Sequence, residues 1–344
     1  MKGVKRTKLV IVGFGSVGRS LARIIAYKRN LLAKKYSITL DVVGVVDSKG
    51  MVVKPHGLEE HELLRLCELP RSGVSLYQPF AKSYVDLKEL YDETQPDIHV
   101  ELTPSNYETG EPGTSNMSFA LTRGIHVVTA NKAPLVMHYS TLRELAEAKK
   151  VSLKFGATVM GGTPLVEMLH YMKSREVKRV EGILNATTNF ILTEMSEKLV
   201  SFEEALQKAR IMGVAEANPH LDVEGIDAAA KLVIISHVIG YPVTLENVVR
   251  EPLVGIQLRD ILEAERQGYV LKYIASLDTE TSKASVKVKR IPHNDVLAGV
   301  KGTLNCVKIA TEDSPLVFIG KGGGGVETAH TVLDDVLSIV ASCR

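Results

Sequence analysis

Cysteine is scarce. The 344-residue chain has three, Cys67, Cys306 and Cys343, which cannot all pair with one another and do not stand at zinc-ligand spacing. They exclude a disulfide-stapled scaffold and point to a reducing compartment, so a cytoplasmic location is expected. Charge of one sign is also lacking. Lys and Arg number 42 against 40 Asp and Glu, a formal net charge of +2, which gives no reason to expect a nucleic-acid partner. The one basic cluster, Lys2, Lys5, Arg6 and Lys8, reads as a solvated segment ahead of a strand. Long apolar runs are missing as well. Leu9 to Val12 is too short for a signal segment, and no run reaches the roughly 18 residues of a membrane span, so no membrane partner is expected. No repeat or low-complexity tract appears, and the composition, 45% hydrophobic and 24% charged, is that of a globular protein long enough for two domains.

What is present is a strand, a glycine turn and a helix in immediate succession. Leu9-Val10-Ile11-Val12 reads as a buried strand leading into Gly13-Phe14-Gly15-Ser16-Val17-Gly18 and then into a helical pattern through Leu21, Ile24 and Ile25. Gly-x-Gly-x-x-Gly alone is a weak signal, but in this context it predicts dinucleotide binding. Gly13 permits the tight turn, Gly15 lets a pyrophosphate approach the backbone, and Gly18 lets the helix pack close to the strand. Further strands end at Asp47, at Thr103-Pro104-Ser105-Asn106 and at Ala130-Asn131-Lys132. Strands alternating with helices predict an α/β fold, a Rossmann-type doubly wound parallel sheet over 1–150.

Beyond a helix around Thr141 to Lys149 the pattern changes. Strands at Val151–Phe155, Val177–Ala186 and Ser285–Ile291, with helices at 164–174, 190–198, 202–212 and 226–239, predict a second, α+β domain over 151–313. Leu316–Ile319, a glycine run and a helix from Thr328 form another strand, turn and helix, expected to return 314–344 to the first domain.

Ligands of open α/β sheets bind past the C-terminal strand ends, which makes Thr103, Ser105, Asn106, Asn131 and Lys132 candidates. Asp47, at the end of the second strand, is placed to bond the 2′-hydroxyl of an NAD ribose and to repel the 2′-phosphate of NADP; Lys49, two residues on, offsets that repulsion, so NAD and NADP both stay open. The segment from Glu216 to Lys231 gathers Glu216, Asp222, Glu224, Asp227 and Lys231 ahead of the apolar run Leu232 to Ile235. If Gly225 opens a helix, Asp227 and Lys231 share a face that is largely buried, where charges demand partners or a zwitterionic substrate. His56, Glu59, Glu60 and His61 imitate a metalloprotease helix, but the histidines are five apart and the segment reads as solvated. Cys67 and Cys306 lack the setting of nucleophiles and read as buried thiols.

Together these residues resemble homoserine dehydrogenase over essentially the entire chain. The resemblance rests on Gly13–Gly18, Thr103-Pro-Ser-Asn106, Thr129-Ala-Asn-Lys132, Ala157-Thr-Val-Met-Gly-Gly-Thr-Pro164, Leu184-Asn-Ala-Thr-Thr-Asn-Phe190, Gly225-Ile-Asp-Ala-Ala-Ala-Lys231 and the terminal glycine turn, in the family's order. It implies NAD(P)-linked interconversion of L-homoserine and L-aspartate 4-semialdehyde, on the route to threonine, methionine and isoleucine. It further implies substrate-binding acids at Glu216, Asp222 and Asp227, a proton-transferring Lys231, a second lysine at Lys132, Thr103 and Asn106 near the nicotinamide, and Gly324 in a cofactor-contacting turn. A homodimer is implied too, with catalytic residues over about 158–284 and dimerisation strands at 151–157 and 285–313. Two positions depart from the family. Gly156 stands where a glutamate commonly helps hold a sodium ion, leaving Val159, Gly161 and Thr163 to offer backbone carbonyls alone; Lys321 stands where proline is usual. A semialdehyde dehydrogenase of the same fold would need a reactive cysteine, which is lacking. A dinucleotide sensor without turnover is the alternative from another class.

Overall fold

The structure, a computed structural model, describes residues 4–342, so Lys2 and Cys343 lie outside the described residues. The chain divides into two compact units, 1–158 with 324–344, and 159–323.

The first unit is built on a seven-stranded sheet of β1 (Lys5–Val12), β2 (Ile38–Asp47), β3 (Gly50–Val53), β4 (Ala81–Lys82), β5 (Ile98–Glu101), β6 (His126–Thr129) and β7 (Leu153–Lys154), in the order β4-β3-β2-β1-β5-β6-β7. The five strands from β2 to β7 run parallel, and β3 and β4 add an antiparallel edge. Leu9, Val10, Ile11, Val42 and Val45 are wholly buried. Such near-continuous apolar runs belong to a parallel sheet covered on both faces. The helices are α1 (Ser16–Tyr36), α2 (Glu60–Glu68), α3 (Leu87–Thr94), α4 (Gly113–Thr122) and α5 (Ala133–Lys149). At 21 residues α1 is long, ending at Ser37 in a left-handed conformation. That length is why Asp47 comes late after the glycine turn.

The second unit holds α6 (Leu165–Tyr171), β8 (Val177–Ile183), α7 (Ala186–Lys198), α8 (Phe202–Ile211), α9 (His220–Val223), α10 (Ile226–Val238), β9 (Val248–Arg250), α11 (Leu258–Arg266), β10 (Tyr269–Asp278), β11 (Lys283–Pro292), β12 (Leu304–Thr311) and β13 (Pro315–Lys321). Its six strands run β13-β12-β8-β10-β11-β9, antiparallel except for β11 with β9. The α10 helix packs on β10 and is buried from Ala228 to Ser236. The chain then returns to the first unit as α12 (Gly325–Ser342), which packs along α1.

Two expected boundaries are corrected. The strand near 151–157 is not part of the second domain: Leu153 and Lys154 pair with Val127 and Val128 in the first sheet, and the Gly156 N–H donates to the buried Asp335 carboxylate on α12. Residues 314–323 do not complete the first domain either. Pro315 to Lys321 pair antiparallel with β12 in the second sheet, so only the chain from 324 onward returns.

Candidate active site

Strand order changes direction at β1, with β2 on one side and β5 on the other, which opens a crevice beyond the C-terminal ends of β1 and β5. Gly13 occupies that point with φ +101°, and a Cβ there would lie 2.5 Å from the carbonyl oxygen of Leu102 and 2.6 Å from the amide nitrogen of Thr103. A side chain on Gly18 would collide with the carbonyl oxygen of Gly13, whereas one on Gly15 would meet nothing within 4 Å. Gly13 and Gly18 therefore serve the fold and Gly15 faces open space. Gly15 also caps α1 without a side-chain hydrogen bond, and no acid stands in the first turn, so the helix N-terminus is left for an anion. Phe14 could offer a ligand its backbone only. Its ring is buried in the core, 5.3 Å beneath the Arg19 guanidinium, which in turn bonds the carbonyls of Cys67, Leu69 and Pro70. Val17 packs partly on the same core, and Ser16 is exposed, its hydroxyl where a Cβ on Gly325 would fall. Gly324 has φ +124°. These residues fit a dinucleotide.

At the end of β2, Asp47 is pinned by two backbone donors, the N–H of Lys49 at 2.8 Å and that of Val74 at 2.9 Å. Lys49 is exposed. The Asn106 side-chain carbonyl accepts the N–H groups of Glu108 and Thr109, so it holds its own turn. Thr103 donates both its N–H and its hydroxyl to Glu101. Lys132 caps α5 and donates its backbone N–H to the Ser105 hydroxyl at 3.0 Å.

In the second unit the expected pair forms. Gly225, at φ +74°, caps α10, and a Cβ there would collide with the Tyr273 hydroxyl. One turn into the helix Asp227 meets Lys231, Oδ2 to Nζ 2.8 Å, and Nζ also donates to the Leu184 carbonyl at 2.7 Å. Lys231 is 7% exposed. Asn185 joins the two acids, its amide donating to Asp222 at 2.6 Å and to Asp227 at 3.0 Å while its oxygen caps α7. Burial, and after it the charge of Asp227, hold the Asp222 carboxyl above its usual range. Two carboxylates and one ammonium leave a net negative charge suited to a second cation. Glu216 lies exposed on the loop beyond α8, outside this hydrogen-bonded set.

Asn185 falls in a family motif but drew no site role from the sequence, although an asparagine directly between a strand and a helix is an N-cap signal. Both candidate thiols, Cys67 and Cys306, are buried, and burial pushes each thiol up, that of Cys306 to about 11. His56 sits in a turn, and Glu59 caps α2 ahead of His61.

Of the backbone carbonyls named for a sodium ion, that of Thr163 already has a partner. The Thr163 carbonyl accepts the N–H of Leu165 at 2.7 Å, and Gly161 and Gly162 donate to the carbonyls of Gly322 and Lys321. Among the described residues no group of three or more histidines, cysteines or acids could hold a metal ion. Nor, among them, is any helix long and apolar enough to cross a membrane.

Comparison with known proteins agrees with this chemistry. Residues 13–155 match the NAD-binding domain of homoserine dehydrogenase, and 164–337 match the homoserine dehydrogenase family itself. The NAD(+)-dependent homoserine dehydrogenase of Pseudomonas canavaninivorans is 35% identical, covering 96% of both chains. A homoserine dehydrogenase structure from Archaeoglobus fulgidus superposes with a TM-score of 0.85 at 34% identity, covering 97% of this chain and 99% of that one. A hyperthermophilic archaeal homoserine dehydrogenase mutant solved with NADPH gives 0.82 at 30% identity, with 98% of each chain covered. The chain belongs to the homoserine dehydrogenase family.

Proposed function

We propose that this chain interconverts L-homoserine and L-aspartate 4-semialdehyde, with Asp222, Asp227 and Glu216 binding the substrate ammonium and Lys231 exchanging the proton of the reacting oxygen. The observation that carries the reading is the buried Lys231 ammonium held between the Asp227 carboxylate and the Leu184 carbonyl. A nicotinamide coenzyme, bound through Gly13 to Gly18 with Thr103, Asn106 and Gly324, supplies the hydride acceptor or donor. In oxidation the neutral Lys231 amine takes the hydroxyl proton as hydride leaves the same carbon. In reduction the ammonium stabilises charge growing on the aldehyde oxygen and then donates its proton. Lys132 adds a second cation for that oxygen. The protein acts as a cytoplasmic homodimer. Mixing it with homoserine and NAD or NADP, and following reduced nicotinamide by absorbance, tests the reading; no reduction with either coenzyme would sink it.

The elevated Asp222 carboxyl gives a pH signature. A protonated Asp222 cannot neutralise an ammonium, so KM for homoserine rises as pH falls, starting above the ordinary carboxylate value of 3.8, while KM for the dinucleotide stays level. For folding the sign is opposite. A carboxyl raised in the fold favours its neutral form, so its contribution to stability is present at low pH and lost as pH rises through the folded pKa. Asp222→Asn is expected to flatten the KM profile, which steady-state kinetics across the acid limb would reveal.

We also assign NAD as the preferred coenzyme. Asp47 is anchored by the backbone of Lys49 and Val74 and is not free to swing away from a 2′-phosphate. Removing a hydrogen bond from ribose to this carboxylate costs about 1.5–3 kcal/mol, so Asp47→Ala should weaken NAD about 10- to 100-fold. NADP, relieved of repulsion beside Lys49, should gain. A variant whose NAD-to-NADP ratio of kcat/KM is unchanged would refute the assignment.

A further inference from the structure

Glu101 is wholly buried at the C-terminal end of β5, and its carboxylate accepts four donors. One oxygen takes the N–H of Thr103 at 2.9 Å together with the Thr103 hydroxyl. The other takes the Asn116 amide at 3.0 Å and His99 Nε2 at 3.2 Å. A carboxylate only accepts, so Nε2 carries a proton, and Nδ1 shares a 2.6 Å hydrogen bond with the Tyr91 hydroxyl. The donor order beyond Thr103 follows by elimination. With its own proton spent on Glu101, the Thr103 hydroxyl can only accept, which it does from the Asn131 amide at 3.1 Å. That fixes the Asn131 oxygen toward the Ala133 N–H and the Ser105 hydroxyl. Ser105, having donated, accepts the backbone N–H of Lys132 at 3.0 Å.

One buried carboxylate thus sets the orientation of both loops at the crevice, the one that carries Thr103 and the one that carries Lys132. We infer that Glu101, locked by Tyr91, His99 and Asn116, is a positioning residue for hydride transfer. It acts through Thr103, Asn131 and Ser105 on the placement of the nicotinamide and of Lys132, and touches no substrate. The inference rests on the activity proposed above.

The test is Glu101→Gln in the full chain. A glutamine presents an NH2 where two donors already point, so the chain of donors breaks while the volume is kept. Misplacement of reacting groups should lower kcat about 10- to 100-fold, with KM for homoserine and dinucleotide affinity changed less than about threefold. The primary deuterium isotope effect on kcat with C4-deuterated homoserine should rise as hydride transfer becomes limiting. Ser105→Ala, at a partly exposed site that tolerates truncation, should lower kcat about three- to tenfold, and the double variant should fall no further than Glu101→Gln alone. A Glu101→Gln kcat within twofold of wild type, additive losses in the double variant, or an unaffected Ser105→Ala would overturn the inference. Wild-type inactivity with homoserine would overturn the activity instead. In that event the fluorescence of bound NADH still reports on ring placement, and emission unchanged by Glu101→Gln would overturn the positioning role.

Discussion

Replacing Lys231 with alanine is expected to lower kcat by about 10²–10⁴-fold, the range for loss of a general acid–base group, while dinucleotide affinity stays within about threefold of wild type. The two quantities separate because the ammonium belongs to the second unit, whereas the glycine turn, Asp47 and Thr103 belong to the first. Lys231 also carries structure, since its ammonium bonds Asp227 and the Leu184 carbonyl, and alanine leaves both short of a donor. Stability loss alone would lower activity through the folded fraction, which a melting curve measures independently. Lys231→Arg separates the roles further. A guanidinium can still pair with Asp227 but remains protonated, so it cannot accept the substrate proton. The arginine variant should therefore fold and bind dinucleotide yet stay inactive in homoserine oxidation. Near wild-type turnover in either variant, measured as initial rates at saturating homoserine, would remove Lys231 from the chemistry.

Those groups were legible in the sequence for a physical reason: their partners are close in the chain. The turn at Gly13 sits directly between a wholly apolar strand and a helix, and Asp227 and Lys231 are four residues apart on a helix whose burial its own apolar run announces. Pairing between distant segments was less accessible. The two residues of β7 joined the first sheet because Val127 and Val128 offered a free strand edge, and nothing in Leu153-Lys154 specifies that choice. The β13 strand resembled the first strand, turn and helix, but its partner is β12, which reads poorly as a strand because it mixes Asn305 and Lys308 with apolar residues. In β10 the interruption is Lys272, a lysine 4% exposed whose amine donates to Asn189 and the Val300 carbonyl, and burial brings its pKa down to about 8. Asn185 and Glu101 act on groups brought to them by the fold, Asp222 being 37 residues from Asn185 and Asn116 being 15 from Glu101. No local periodicity encodes such contacts.

The glycine turn offers a second large effect, and here two glycines two residues apart should fail in different ways. Gly13→Ala places a methyl 2.5 Å from the Leu102 carbonyl oxygen at φ +101°, a backbone conformation that alanine rarely adopts. Neither side can give way freely. The Leu102 N–H donates to the Val12 carbonyl at 2.7 Å and the Gly13 N–H to the Val46 carbonyl at 2.9 Å, so moving the turn breaks the links between β1, β2 and the end of β5. Backbone strain of about 1–3 kcal/mol adds to overpacking of about 1–3 kcal/mol, a large share of the stability of a domain. Gly15→Ala meets no neighbour within 4 Å, so its stability cost is confined to a poorer helix cap, about 1 kcal/mol or less. Its methyl nevertheless projects into the space that a pyrophosphate needs. Thermal melts should show a marked loss for Gly13→Ala and little for Gly15→Ala, whereas dinucleotide titration should show Gly15→Ala folded and unable to bind. A Gly15→Ala protein that keeps its dinucleotide affinity would mean that the open space at α1 is not where the phosphates lie.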